Sequence, residues 1–311
     1  MIAKSTPAPA PAPVGSAPAR IVDAHHHIWR RSDLAWLNGP MQPRIFGEYE
    51  SIRRDYPIAE FLSDVRPCGV TESVYVQANW PVDKGLDEAQ WVQSVADGYG
   101  WPQAIVAYAD FGRDDIDSHL DALASLPGVR GIRQQLHWHR NPQYRFASRP
   151  DLMADASWRR GFARLARRGW LFELQIFAGQ MDEGVRLAKD FAEQLFVLEH
   201  AGMLEDRSAE GFDLWRRGMR ELARCPNVHV KLSGLGTFVH SASPELMRPV
   251  VQETIEIFGA GRCMYGSNFP IEKIWTDYRS LFDAFRSCIA DLSASEQAAI
   301  LGGNAVQAYR L

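Results

Sequence analysis

The sequence predicts an α/β protein in which eight parallel strands form a (β/α)8 barrel. Short apolar segments alternate along the chain with segments of helical periodicity, and eight apolar segments can be counted. This alternation predicts a parallel sheet that is covered by helices. The apolar segments become polar mainly near their C-terminal ends, as is typical of barrel strands that are buried on both faces and carry a site at that end.

The first predicted strand, residues 20–28, is followed by a long polar and aromatic segment, residues 30–57. Loops of this length in a compact domain usually belong to a site or cover one, so we expect the same of this segment. The elements that follow in the first half are helix 58–65, strand 72–78, helix 87–99, strand 103–109, helix 116–125 and strand 129–136.

The second half repeats the alternation and ends in two further helices. Its predicted elements are helix 158–168, strand 171–177, helix 182–191, strand 196–199, helix 212–224, strand 228–232, helix 244–258, strand 263–266, helix 278–289 and helix 295–309. Residues 1–20 are rich in Ala and Pro and lack the continuous apolar stretch of a secretory signal. We therefore expect a disordered leader at 1–20 and a single catalytic domain at 21–311.

Composition argues against several classes of partner. The net charge is −4 and Lys and Arg form no runs, which argues against nucleic acid and anionic membranes. No apolar stretch approaches the ~20 residues of a membrane span. The four cysteines form no Cys-x-x-Cys pair, a pattern that indicates reduced thiols in a cytoplasmic protein. A small molecule is the expected partner, and formation of a homo-oligomer stays open.

The first predicted strand carries three of the nine histidines, at positions 25 to 27. Because side chains alternate along a strand, we expect Asp23, His25 and His27 on one face and His26 on the other. Two imidazoles on one face at a strand end can grip a metal ion or polarise a carbonyl group.

The other predicted strands also end in polar residues that a barrel would bring to one mouth. They are Gln77, Asp110, Arg133, Gln135, His137, His139, Glu173, Gln175, His200, Lys231 and Asn268. We expect Gln77, Arg133, His137 and Lys231 to bind the substrate, since a guanidinium or ammonium group suits a carboxylate. The alternatives are buried ion pairs, of Arg133 with a carboxylate such as Glu173 and of Lys231 with Glu199.

Six segments carry a resemblance to a known family. They are Val22–Trp29 (VDAHHHIW), Val129–Gln134 (VRGIRQ), Tyr144–Phe146 (YRF), Val197–Gly202 (VLEHAG), Lys231–Gly234 (KLSG) and Gly266–Pro270 (GSNFP). Together they resemble the amidohydrolase-related family of the amidohydrolase superfamily over residues 21–311. The most similar group contains L-fuconolactonase, L-rhamnonolactonase and sulfomuconolactone hydrolase, and 2-pyrone-4,6-dicarboxylate lactonase is more distant.

The resemblance implies a distorted barrel of the amidohydrolase type and a catalytic role for His25, His27 and His200 and for the strand-eight residue Asn268. In metal-binding relatives these histidines hold a divalent ion that activates water, whereas lactonase relatives can polarise the carbonyl without a tightly held metal. We therefore expect one weakly bound zinc or manganese ion, or none. Gln175 stands where a second strand-five histidine would be needed, which argues against a binuclear centre.

The family's strand-eight aspartate, which takes a proton from water, is replaced here by Asn268. An amide cannot accept that proton, and losing a general base costs about 10²- to 10⁴-fold in rate. Glu173, Asp110, His137 and His139 are the candidate substitutes. A lactone is an activated ester that needs less help, so we expect a lactone hydrolase acting on a sugar-acid or carboxylated lactone. The alternatives are a metal-dependent decarboxylase or amide hydrolase, and a small-acid-binding barrel without catalysis.

Overall fold

The computed structural model describes residues 20–311, so the predicted leader lies, except for Arg20, outside the described residues. Eight strands form one sheet in chain order, and every neighbouring pair is parallel. The strands are β1 Val22–His26, β2 Glu72–Val76, β3 Ala104–Tyr108, β4 Val129–Arg133, β5 Leu171–Leu174, β6 Phe196–Leu198, β7 Val228–Leu232 and β8 Cys263–Tyr265. The predicted (β/α)8 barrel is confirmed.

Helices separate the strands and complete the C-terminal part of the chain. They are α1 Ala35–Asn38, α2 Ile58–Val65, α3 Gly85–Tyr99, α4 Ile116–Ala124, α5 Ala156–Phe162, α6 Met181–Asp190, α7 Ala209–Ala223, α8 Pro244–Phe258, α9 Tyr278–Cys288, α10 Ala294–Ala298 and α11 Asn304–Tyr309. Within residues 20–311, no helix combines the length and apolar character that crossing a membrane requires. The four cysteines are unpaired, and three of them are buried.

The barrel closes through the segment that follows β8. The Asn268 backbone N–H donates to the His25 carbonyl at 2.7 Å, and the His27 N–H donates to the Phe269 carbonyl at 2.7 Å. The backbone around the two strand-one histidines is thereby fixed to the backbone of Asn268, and the seam of the barrel lies at the C-terminal mouth.

The interior of the barrel is apolar towards its N-terminal end. Small and branched side chains from β1, β2 and β3 fill it, and α11 covers it with Ala305 and Tyr309. A second and larger cluster packs the outer faces of the strands against the surrounding helices. Burial of both strand faces accounts for the apolar runs in the sequence.

Several boundaries differ from the sequence-based prediction. The strands predicted at 72–78, 129–136 and 171–177 end two or three residues earlier, because the chain leaves the sheet where it approaches the mouth. The predicted helix 295–309 is divided by a π-helical turn, Ala299–Gly303. There Gly302 passes so close to Arg20 that a Cβ atom would lie 2.1 Å from the Arg20 carbonyl oxygen.

One prediction about side-chain direction is wrong. A register shift between Asp23 and His26 interrupts the alternation of β1, as a β-bulge does. The Asp23 carboxylate accepts hydrogen bonds from the Tyr278 hydroxyl on α9 at 3.0 Å and from the Ser267 N–H at 2.8 Å. It therefore faces α9 instead of sharing a face with His25 and His27.

Candidate active site

A cavity of about 580 Å³, including its open mouth, lies at the C-terminal end of the barrel. It is lined by strand ends and by the long segment 30–57 between β1 and α2. The lining residues are His27, Trp29, Trp36, Arg44, Ile45, Phe46, Ala78, Asn79, Arg133, Gln135, Gln175, His200, Thr237, Asn268 and Ile271. The segment 30–57 thus contributes to the cavity, as its length and aromatic content predict.

The three expected histidines lie together. The ring centroids of His25 and His27 are 5.1 Å apart, and those of His25 and His200 are 4.7 Å apart. His27 Nδ1 donates to the Val76 carbonyl at 2.6 Å, which leaves Nε2 as the unprotonated nitrogen of a neutral ring. His200 Nδ1 is 2.9 Å from the Ser233 hydroxyl. His26, by contrast, stacks on Phe61 of α2 at a centroid distance of 3.8 Å.

The backbone is strained at two of the site residues. His200 has φ of 54° and Asn268 has φ of 58°, a left-handed conformation that is uncommon for residues other than glycine. Such conformations cluster at functional sites, where the surrounding structure enforces them. Gly234 completes this arrangement, because a Cβ atom there would lie 2.6 Å from His200 Nδ1.

Buried histidines at this site are held neutral. Burial lowers the pKa of His27 and that of His200 to about 3, with the nearby Arg133 guanidinium as the next contribution to each. Burial also lowers the pKa of His25 well below its ordinary value, helped by Lys231. Neutral imidazoles keep a lone pair that can bind a metal ion or accept a hydrogen bond.

Three side chains could hold a metal ion. One donor atom each from His25, Glu199 and His200 lies within 4.8 Å of the others, and all three residues are deeply buried or nearly so. Glu199 Oε1 is 3.5 Å from His25 Nδ1, and Oε2 is 3.9 Å from His200 Nε2. Both His25 ring nitrogens are buried without a hydrogen-bond partner. One ring nitrogen from each histidine and one carboxylate oxygen form a donor set that suits a divalent ion such as Zn²⁺.

This group differs from the set expected from the sequence, His25, His27 and His200. The structure brings His25 and His200 together with Glu199, and His27 is not a member of that group. His27 instead faces the cavity. The sequence analysis named Glu199 only as an ion-pair partner for Lys231. Its position directly before His200 does not by itself indicate a metal ligand.

Arg133 and Lys231 both form buried ion pairs. The sequence suggested Glu173 for Arg133 and Glu199 for Lys231, and the structure shows the opposite pairing. Arg133 Nη1 lies 3.0 Å from Glu199 Oε2, and Lys231 Nζ lies 2.5 Å from Glu173 Oε1. Tyr309 also donates to Glu173 Oε1 at 2.7 Å. Lys231 and Glu173 are fully closed to solvent, so the structure does not bring Lys231 to the cavity.

Two further expected substrate-binding residues do not line the cavity. The Gln77 carbonyl accepts from Arg133 Nη2 at 2.5 Å, and its side-chain oxygen accepts from the Asn79 N–H at 2.8 Å. His137 is buried between Phe146 and Phe177, at centroid distances of 5.4 Å and 5.6 Å. Both residues support the walls of the mouth.

The four candidate substitutes for the missing base are also outside the cavity lining. Glu173 is paired with Lys231, and His137 is enclosed by aromatic rings. Asp110 accepts from the Gln134 amide at 2.9 Å, and His139 Nδ1 accepts from the Asn141 N–H at 3.0 Å. Each is engaged elsewhere in the fold.

A buried carboxyl group that the sequence did not reveal lies beside Asn268. Glu272 is fully closed to solvent, and its carboxyl accepts from the Trp275 indole at 2.9 Å and lies against the Asn268 side-chain amide. Burial raises the pKa of Glu272 to about 8. Because Glu272 lies two residues after the strand-eight motif Gly266–Pro270, in a 3-10 turn of three residues, no periodic pattern pointed to it.

Comparison with known proteins places these features in a family context. The amidohydrolase family model matches residues 22–311. A protein of Sinorhizobium fredii, named "Uncharacterized protein y4mH", is 36% identical over 94% of this chain and 98% of its own length. An L-fucono-1,5-lactonase of Burkholderia ambifaria is 26% identical over 93% of this chain and 95% of its own length.

A solved structure has the same fold. It is a crystal structure of an amidohydrolase from Burkholderia multivorans with bound zinc, which superposes with a TM-score of 0.79, at 24% identity, over 94% of this chain and 100% of that chain. The match of the family model to nearly the whole described chain, together with the relative at 36% identity, shows that this protein is a member of the amidohydrolase family.

Proposed function

We propose that the protein hydrolyses a lactone. The observation that carries the proposal is that neutral His27, His200 and Asn268 line one cavity, and that no Asp or Glu of residues 20–311 lines it with them. Cleavage of an unactivated amide depends more on a strong general acid or base than the opening of a lactone does, because a lactone is an activated ester. Similarity to an L-fucono-1,5-lactonase supports the same bond type.

The ring carbonyl is bound between His200 and Asn268, with its carbon towards His27. The Asn268 amide donates to the carbonyl oxygen, and this hydrogen bond strengthens as negative charge develops on that oxygen. His27 Nε2 accepts a hydrogen bond from the attacking water, because the bond of Nδ1 to Val76 fixes the ring and directs Nε2 away from the strand. The same nitrogen returns the proton to the ring oxygen when the ring opens.

A divalent ion fits the group of His25, Glu199 and His200, and zinc or manganese is the expected metal. When bound, such an ion supplies Lewis acidity towards the carbonyl oxygen. Ser233 orients His200 through Nδ1, and Arg133 orients Glu199. These partners fix the directions of the ligand atoms, as supporting residues around metal sites usually do.

Hydrolysis of a panel of sugar-acid lactones and muconate-type lactones, followed with a pH indicator, tests the proposal. The protein is assayed as purified, after chelation, and after addition of zinc or manganese, with its metal content measured by elemental analysis. We expect ring opening of at least one lactone well above the spontaneous rate. If folded, metal-supplemented protein opens none of them, the proposal is wrong and a binding protein without catalysis becomes the better description.

A further inference from the structure

Arg44 lies in the cavity wall and has no counter-ion among residues 20–311. Its side chain lines the cavity, and none of the ion pairs formed within residues 20–311 includes it. Its Nε atom is buried and lacks a hydrogen-bond partner. A buried guanidinium N–H without an acceptor destabilises the folded protein unless a ligand accepts a hydrogen bond from it.

The other guanidinium of the cavity, that of Arg133, already has a counter-ion, although among the described residues its Nε atom, like that of Arg44, is buried without a hydrogen-bond partner. Arg133 contacts both Glu199 oxygens, at 3.0 Å and 3.2 Å, and the Gln77 carbonyl at 2.5 Å. Its charge is therefore matched within the protein. Arg44 is left as the guanidinium of the lining that is available to a substrate anion.

The segment that carries Arg44 is held in place by specific contacts. The Arg44 guanidinium carbon lies 5.5 Å from the Trp36 ring centroid, and Trp36 Nε1 donates to the Ala78 carbonyl at 3.1 Å. The Arg44 carbonyl accepts from the Gln143 amide at 3.0 Å. The cation–π contact with Trp36 restricts the position of the guanidinium group, which lowers the entropy lost when an anion binds.

Part of the lining suits a flat, apolar portion of the substrate. Trp29, Trp36, Phe46 and Ile271 contribute apolar surface. Within residues 20–311 the lining includes no Asp or Glu side chain, so no carboxylate of the cavity wall repels an anion bound at Arg44. The combination of one free guanidinium and aromatic walls suits a carboxylate on an unsaturated lactone ring.

We propose that Arg44 binds a carboxylate group of the substrate and thereby makes the enzyme selective for anionic, carboxylated lactones over neutral ones. This inference rests on the proposed lactonase function. Arg44 then determines specificity: it contacts the substrate away from the scissile bond, so its loss weakens substrate binding while the histidine chemistry stays in place.

The experiment compares muconolactone, which carries a free carboxylate, with the primary amide made from it. We expect Arg44→Gln to lower kcat/KM for the acid by about 10- to 100-fold, mainly through KM, and to change kcat/KM for the amide less than threefold. Arg44→Lys restores part of the selectivity because it keeps the charge without the planar fork. Arg31→Gln, which removes a charge from the same segment outside the cavity lining, is the matched control and leaves both values unchanged.

A binding measurement separates this inference from the lactonase proposal. Tetrahydrofuran-2-acetate and its primary amide lack the ring carbonyl, so calorimetry with them reports anion binding whether or not any lactone is hydrolysed. Preference of the wild-type protein for the acid probe, lost in Arg44→Gln and kept in Arg31→Gln, supports the assignment even if the lactone panel fails. Equal binding of the two probes by the wild-type protein, or an equal loss for both in Arg44→Gln, overturns it.

Discussion

Arg133 Nη1 lies 3.0 Å from Glu199 Oε2 in an ion pair that is closed to solvent. The pair lies beside the site histidines, because the same carboxylate also lies 3.5 Å from His25 Nδ1. Arg133 therefore positions an acidic neighbour of the histidines and does not present a free charge to the substrate. We propose that its role in the site is to position Glu199, although it also lines the cavity.

Replacing Glu199 with Gln is expected to destabilise the fold and weaken metal binding. The substitution leaves the buried Arg133 charge without a partner, which typically costs about 3–5 kcal/mol. It also removes the carboxylate from the group of His25 and His200. Chemical unfolding and zinc titration of the purified variant measure the two effects. The exposed Glu193→Gln variant is the control, and unchanged stability together with unchanged zinc affinity in Glu199→Gln would contradict the assignment.

Glu272 gives the protein a pH-dependent stability that Glu272→Gln should remove. Its folded-state pKa of about 8 is above its ordinary value of 4.5. Between these values the folded protein keeps a proton that the unfolded chain has lost, so the contribution of Glu272 to stability is full below about pH 4.5 and is lost as pH rises through 8. Every tenfold difference in proton affinity between the folded and unfolded states is worth about 1.4 kcal/mol.

Thermal unfolding of the wild-type and Glu272→Gln proteins at pH 5, 6.5 and 8 measures this effect. Since Gln does not titrate, the variant should gain stability relative to the wild type as pH rises, with the largest gain at pH 8. A constant difference between the two proteins across this range would show that Glu272 titrates in the folded state as it does in the unfolded chain.

Asn268→Asp is expected to lower activity instead of restoring a general base. The new carboxyl group would lie against the buried Glu272 carboxyl and would repel the negative charge that develops on the carbonyl oxygen. Steady-state kinetics of lactone opening should show a fall in kcat of about 10-fold or more. An increase in kcat would instead indicate that the asparagine marks a weakened enzyme.

Gly234→Ala tests the close packing behind His200. A Cβ atom at this position would lie 2.6 Å from His200 Nδ1, and the residue has φ of 58°. The strained backbone costs about 1–3 kcal/mol, and the imidazole must move away from Ser233. We expect lower thermal stability and lower kcat together. Gly261→Ala, where a Cβ atom would meet nothing within 4 Å, is the control and should leave kcat unchanged.

The sequence predicted the barrel and the three histidines because both depend on local patterns. Alternating apolar and helical segments specify the strand count, and strand-end histidines reach one mouth in any such barrel. Partner choice was not predictable in the same way: whether Arg133 faces Glu173 or Glu199 depends on side-chain directions around the barrel. The bulge in β1 likewise reversed the direction of Asp23 without a sequence signal.

Arg44 and Glu272 were missed for a related reason. Both lie in irregular segments, where neither the two-residue strand period nor the helical period constrains side-chain direction. Arg44 reaches the cavity because Trp36 and Gln143 hold its loop, and Glu272 is buried by Trp275 and Asn268. Such tertiary contacts become visible only once the fold is known.

The most direct test of the histidine site compares His27→Gln with His229→Gln on the best lactone of the panel. His27 lines the cavity, whereas His229 lies near the N-terminal end of β7 and is outside the cavity lining. Loss of the His27 imidazole removes the proton acceptor, so we predict that kcat/KM falls by about 10²- to 10⁴-fold in His27→Gln and stays within a factor of three of the wild-type value in His229→Gln. A folded His27→Gln variant with the kcat/KM of the wild type would show that His27 is not the proton acceptor.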